Sequence, residues 1–135
     1  MKKKTSLIIV IFLLIALIIA IFTLNYTKEG NALIATNFVK NESTYKFDGI
    51  PETFKLNKTI TKDCTYCWEF YFEYRSLNSG YGDRKNTTLN PVLTNHSARI
   101  TMEKGTINSA ILDDMWDMNA QKFIESIRPT RGGQR

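Results

Sequence analysis

The sequence predicts an α+β fold: an N-terminal transmembrane helix, then a small domain with one helix packed on an antiparallel sheet of about four strands. Three stretches carry that prediction. Residues 7–24, LIIVIFLLIALIIAIFTL, form an 18-residue run interrupted only by Thr23. NALIATNFVKN sets Leu33, Ile34, Phe38 and Ala35 at helical spacing. WEFYFEYR alternates, with Trp68, Phe70, Phe72 and Tyr74 on one face and Glu69, Tyr71, Glu73 and Arg75 on the other.

The apolar run, at about 1.5 Å per residue, is roughly 27 Å long, which matches a bilayer core. Lys2, Lys3 and Lys4 precede it and nothing comparably basic follows closely, so the positive-inside bias keeps the N-terminus in the cytoplasm and puts the domain outside. A cleaved signal would need small residues at its processing site. Ala20 has Ile18 two positions before it, and Thr23 has Ile21, so an uncleaved single-pass anchor in the cell membrane is expected. The chain then divides into a cytoplasmic tip (1–6), the anchor (7–24), a polar stalk (25–30), an extracytoplasmic domain (31–127) and a disordered basic tail (128–135).

Net charge at neutral pH is +5, yet the charge sits at the ends. Lys2, Lys3 and Lys4 and the tail arginines Arg128, Arg131 and Arg135 account for six cations; the residues between are close to neutral. A basic face for nucleic acid is therefore not expected. Five Asn-x-Ser/Thr triplets, at Asn25, Asn41, Asn57, Asn86 and Asn95, suit an exported surface domain and are glycosylation candidates.

Within the domain, Asn31 is the expected N-cap of the helix. STYKFDGIPETF reads as extended chain bending at Asp48-Gly49 and Pro51, and Thr53 to Thr61 as the first strand. The alternating aromatic strand has one dry and one wet face, the signature of an antiparallel sheet covered on one side. NSGYGDRKNTTLNP is a polar loop. SARITMEKGTINSAILDD reads as a hairpin turning at Glu103-Lys104-Gly105-Thr106, with Ala98, Ile100 and Met102 on one face of its first arm and Ile107, Ser109 and Ile111 on one face of its second. A final helix is expected over residues 118–127. This order is similar to the helix-on-curved-sheet plan of PepSY-like or cystatin-like domains, a likeness that leaves function open.

Chemistry is sparse. Cys64 and Cys67 are the only cysteines and His96 the only histidine. A redox CxxC needs its first thiol at a helix N-terminus, whereas here a strand follows. Zinc would need further ligands, for which His96 and a carboxylate such as Asp63 are candidates. The favoured reading is a Cys64–Cys67 disulfide that fixes the turn into the aromatic strand. His96 could serve as a base with Ser97, Asp83, Asp113 or Asp117, though no nucleophile motif accompanies it. Asp113, Asp114 and Asp117 offer oxygen ligands without an EF-hand spacing. Tyr81, flanked by Gly80 and Gly82, is the most suggestive loop residue.

FVKNESTYKFDGI, CTYCWEF, SGYGDR, TNHSARITMEKG and SAILDDMWDM together resemble a family of small membrane-anchored or secreted extracytoplasmic domains of archaea and bacteria, over about residues 32–118. That family has no established activity. The resemblance implies a non-enzymatic domain and directs attention to Tyr81, Gly82, Asp83, Arg84, His96, Trp116 and Asp117 as binding candidates. Where the family pattern has TPH, this chain has Asn95. The expected function is an envelope-interaction or binding module for an unknown protein or envelope ligand, without catalysis or cofactor. The alternative is a metal-binding domain using Cys64, Cys67 and His96.

Overall fold

The computed structural model describes residues 2–125, an α+β chain with one long N-terminal helix and a six-stranded antiparallel sheet. Helix α1 spans Lys2–Tyr26, and its window Ser6–Thr23 has a mean hydropathy of 3.3. By length and composition this helix can cross a membrane, as an anchor or as a signal sequence.

Only Thr27 separates α1 from α2, Lys28–Asn41. Thr27 is extended and caps α2 by accepting the Gly30 amide at 3.1 Å. The expected stalk at 25–30 is thus the end of one helix, a single cap residue and the start of the next. Asn31, expected as the cap, is fully buried inside α2; its amide donates to the Asn25 and Thr27 carbonyls. The buried stripe is Asn31, Ala35 and Val39, with Ile34 and Phe38 at its flanks and Leu33 exposed. Small side chains let the helix approach the large aromatic rings of the sheet.

A second short helix, α3 (Ser43–Asp48), replaces the extended segment expected there. Its cause is Glu42, whose carboxylate caps the helix by accepting the Thr44 amide at 2.8 Å. After a 3₁₀ turn at Pro51–Thr53 the sheet begins. Its strands are β1 (Lys55–Thr61), β2 (Cys67–Ser76), β3 (Thr94–Glu103), β4 (Thr106–Leu112), β5 (Trp116–Asp117) and β6 (Lys122–Phe123), each paired with the next.

The alternation of β2 is as read: Trp68, Phe70, Phe72 and Tyr74 are buried and join Ala98, Ile100 and Met102 of β3 in the core. On the opposite face of β2, Glu69, Tyr71 and Glu73 are half-buried and Arg75 is exposed. The β3–β4 turn has Lys104 at φ 48° and Gly105 at φ 78°, the left-handed pair that a tight hairpin requires.

On β4 the expected face is corrected. Thr101 pairs with Ser109 but Met102 pairs with Ile107, so Asn108 is an extra residue, a β-bulge that reverses the parity of the strand. Ile107, Ala110 and Leu112 face the core, while Ser109 and Ile111 lie on the other side. The helix expected at 118–127 is instead the β5–β6 hairpin as far as residue 125. Asp117 opens its turn by accepting the amides of Asn119 and Ala120, each at 2.9 Å. Residues 126–127 and the basic tail lie outside the described residues.

Candidate functional site

Tyr74 and His96 are paired across β2 and β3 on the core face, at the end of the sheet where Ser76 and Thr94 close the ladder. Asp113 follows β4 at φ 53°, turned back toward β3 by mutual bonds with Ser97: the Asp113 amide donates to the Ser97 carbonyl at 2.8 Å, and the Ser97 amide to Asp113 Oδ1 at 2.7 Å. His96 Nδ1 lies 2.7 Å from Asp113 Oδ2, and Nε2 lies 3.0 Å from Ser76 Oγ. The Tyr81 hydroxyl donates to the same Asp113 oxygen at 3.0 Å. Burial, with Asp113 beside it, raises the pKa of the Tyr81 hydroxyl well above the usual tyrosine range.

Serine, histidine and aspartate in a row suggest a nucleophilic triad, so the direction of each proton matters. Ser76 Oγ is also 2.7 Å from the Asn78 carbonyl, which can only accept. With the Ser76 hydroxyl donating to Asn78, Nε2 is the donor to Ser76 Oγ and cannot draw off its proton, and one proton lies between Nδ1 and Asp113 Oδ2. Ser76 is fully buried. The row is a buried polar girder between the sheet and the chain beyond it. Of the partners expected for His96, Asp113 is the one the fold supplies; Ser97 contributes its amide to that carboxylate, and Asp83 and Asp117 serve their own turns.

The SGYGDR loop folds inward. Arg84, 5% exposed, donates to the carbonyls of Ser79, Gly80 and Thr44 and to Asp48 Oδ1, and its guanidinium lies 4.8 Å from the Phe47 ring centre. Asp48 Oδ2 in turn accepts both the amide and the side chain of Asn78, each at 2.8 Å. The Gly82 amide donates to Thr44 Oγ1 at 2.8 Å; φ here is +72°, and a Cβ would stand 3.2 Å from the Trp116 ring. Tyr81 stacks on Trp116 at 5.6 Å and meets His96 edge-on. Only Asp83 of this loop's candidates projects outward, capping the Lys85 amide at 3.1 Å. Of the binding candidates, Gly82, Arg84, His96 and Trp116 are buried, Tyr81 is half-buried and Asp83 is exposed. Asp117 is held by its turn.

Glu42, unremarked in the sequence, is a second hub. Besides α3 it receives Trp116 Nε1 at 3.3 Å and Gln121 Nε2 at 3.0 Å. The only local sign of it is an acidic residue just before Ser43-Thr44, a cap signal hidden by the neighbouring Asn41 triplet.

The expected metal set is not assembled. Cys64 and Cys67 are disulfide-bonded, closing the β1–β2 turn. His96 stands seven ladder positions from Cys67, about 23 Å at ~3.3 Å per residue. Asp113, Asp114 and Asp117 diverge, toward His96, Arg99 and the hairpin turn. Among the described residues no cluster of three His, Cys, Asp or Glu side chains forms. Of the glycosylation candidates, Asn41, Asn57, Asn86 and Asn95 are exposed, and Asn25 is partly covered.

Beyond the girder lies an open cleft of about 640 Å³, between the 3₁₀ turn and the ends of β2 and β3. Glu52, Lys55, Glu73, Arg75 and Asn95 stand at its rim, with Tyr74, His96 and Asp113 beneath. Lys55 is engaged by Glu73 at 2.9 Å, while the Arg75 side chain is exposed and forms no ion pair among the described residues. Arg75 was legible only as one polar position of an alternating strand. No family model matches the chain, and neither a curated protein nor a solved structure matches it.

Proposed function

We propose that the chain is a single-pass membrane protein, N-terminus in the cytoplasm, whose outer domain binds an envelope partner through the cleft above His96 and performs no catalysis. The observation that carries this reading is Arg75, exposed at the rim of that cleft and without an ion pair among the described residues. Arg75 pairs with Asn95 across β2 and β3, and a guanidinium with an amide as its neighbour is suited to a carboxylate or other planar anion on the partner. Catalysis is disfavoured by the proton count at Ser76, whose hydroxyl serves a main-chain carbonyl deep in the core. The N-terminal lysines and the disulfide support export to an oxidising exterior.

The test is a photo-cross-linking residue at Asn95 in native membranes. Capture of a defined partner at Asn95, lost in Arg75→Ala and absent when the probe sits at Ser109 on the wet face of β4, supports the cleft. Equal capture at both positions, or indifference to Arg75→Ala, overturns it.

A further inference from the structure

The sheet has two ends, and the one opposite the cleft is tied to the exit of α1. Tyr26, the last residue of α1, makes an edge contact with Tyr66 of the disulfide-closed turn, ring centres 5.1 Å apart. The Lys104 amide donates to the Tyr66 carbonyl at 3.0 Å, which joins that turn to the tip of the β3–β4 hairpin. Gly105 donates its amide to Asn31 Oδ1 at 2.9 Å and lies so close to Asn25 that a Cβ would fall 2.2 Å from Asn25 Oδ1. Both turns are therefore clamped to the junction of α1 and α2, where Thr27 alone is not helical.

We propose that this end of the domain lies on the surface of the bilayer that α1 crosses, with Tyr26 and Tyr66 seated in the interfacial layer. The inference rests on the anchor reading above. The apolar window ends at Thr23, so Tyr26 stands one helical turn, about 5 Å, beyond it, at headgroup depth. Tyr66 is brought to the same level by its contact with Tyr26. Tyr66 is 40% exposed, at a position with φ 62°. An aromatic ring with one polar tip is the side chain favoured at that depth.

Lys28, Lys62 and Lys104 flank the two tyrosines with stems long enough to reach phosphates. Acidic neighbours balance them: Glu29 is 3.8 Å from Lys28, Glu103 is 3.4 Å from Lys104, and Glu69 is 3.6 Å from Lys62. The surface is thus near neutral, and its partner is the interfacial layer of any phospholipid, not an anionic headgroup in particular.

The experiment uses the full chain in phosphatidylcholine vesicles containing either a headgroup-diazirine or an acyl-chain-diazirine lipid, with adducts mapped by mass spectrometry. Expected are acyl-chain adducts within residues 7–23 and headgroup adducts at 62–66 and 104, with few at 52–55 or 94–97. Tyr66→Ser, an exposed position, should lower the adducts at 62–66 several-fold. Adding phosphatidylglycerol or salt should leave the pattern unchanged. If α1 takes the acyl probe while 62–66 and 104 label no more than 94–97, this docking falls and the anchor stands. Labelling that appears only with phosphatidylglycerol overturns the neutral interfacial mode, and an α1 untouched by the acyl probe removes both readings.

Discussion

Tyr74→Phe should make this protein more stable, against the usual direction of such changes. The Tyr74 ring is held in the core, 2% exposed, with Tyr45 edge-on at 4.9 Å and His96 at 5.0 Å. Its hydroxyl finds no hydrogen-bond partner among the described residues. Leaving a buried hydroxyl unsatisfied costs about 1–3 kcal/mol, and phenylalanine removes the cost while keeping the ring. For a domain near 100 residues that corresponds to a Tm increase of roughly 4–8 °C for each kcal/mol.

A pH series sharpens the prediction. Burial, reinforced by the negative charges of Glu42 and Asp113, raises the Tyr74 pKa far above its ordinary 10.0. A raised folded-state pKa means stability fully present below pH 10 and lost above it, by about 1.4 kcal/mol per pH unit for one group. Tyr74→Phe lacks that slope, so its advantage over the parent should widen as pH rises past 10. The assay is urea unfolding of the full chain in detergent micelles, followed by tryptophan fluorescence at pH 7 and again between pH 9 and 11. A variant less stable than the parent at pH 7, by about 1 kcal/mol or more, would show that the hydroxyl is hydrogen-bonded and refute the reasoning.

Arg84→Ala should destabilise by about 3–5 kcal/mol, because it strands the Asp48 carboxylate, whose side chain is 6% exposed, without its cation; urea melts check this, and a loss within error would mean that the loop orders itself by other means. Gly105→Ala should cost more than the ~1–2 kcal/mol of a left-handed alanine, since the new methyl meets Asn25. In an Asn25→Ala background the loss should be smaller, leaving the left-handed backbone and the 3.2 Å approach to the residue 25 Cα, so thermal melts giving the same loss in both backgrounds would contradict the clash with the Asn25 side chain.

What could be read from the sequence was whatever depends on local period. The alternation of β2, the inward set of β3 and the Lys104-Gly105 turn are each decided within a few residues. The errors arose where a distant contact decides. The bulge at Asn108 shifts β4 by one position, and no pattern within TINSAIL announces it. α3 is the local exception: Glu42 caps it from two residues before Thr44, although Tyr45, Lys46 and Phe47 alone suit an extended chain. The C-terminal stretch becomes a hairpin because Leu112 pairs with Trp116 and Trp116 with Phe123. At the site, Tyr81 and His96 were visible as residue types, but their convergence on Asp113 requires β4 to end there. Arg84 looked like a contact because its loop is polar; its two terminal nitrogens instead donate to the loop's own carbonyls and to α3.

Glu42 also imposes a schedule. Its carboxylate collects partners 74 and 79 positions downstream, Trp116 and Gln121, so the earliest part of the domain holds an incompletely matched anion until almost the last residue has arrived. Such late long-range closure is slow to form and leaves the nascent sheet uncovered at one margin meanwhile. A stop between residues 112 and 116 therefore yields a chain with four of its six strands and without the Trp116 that would seal them.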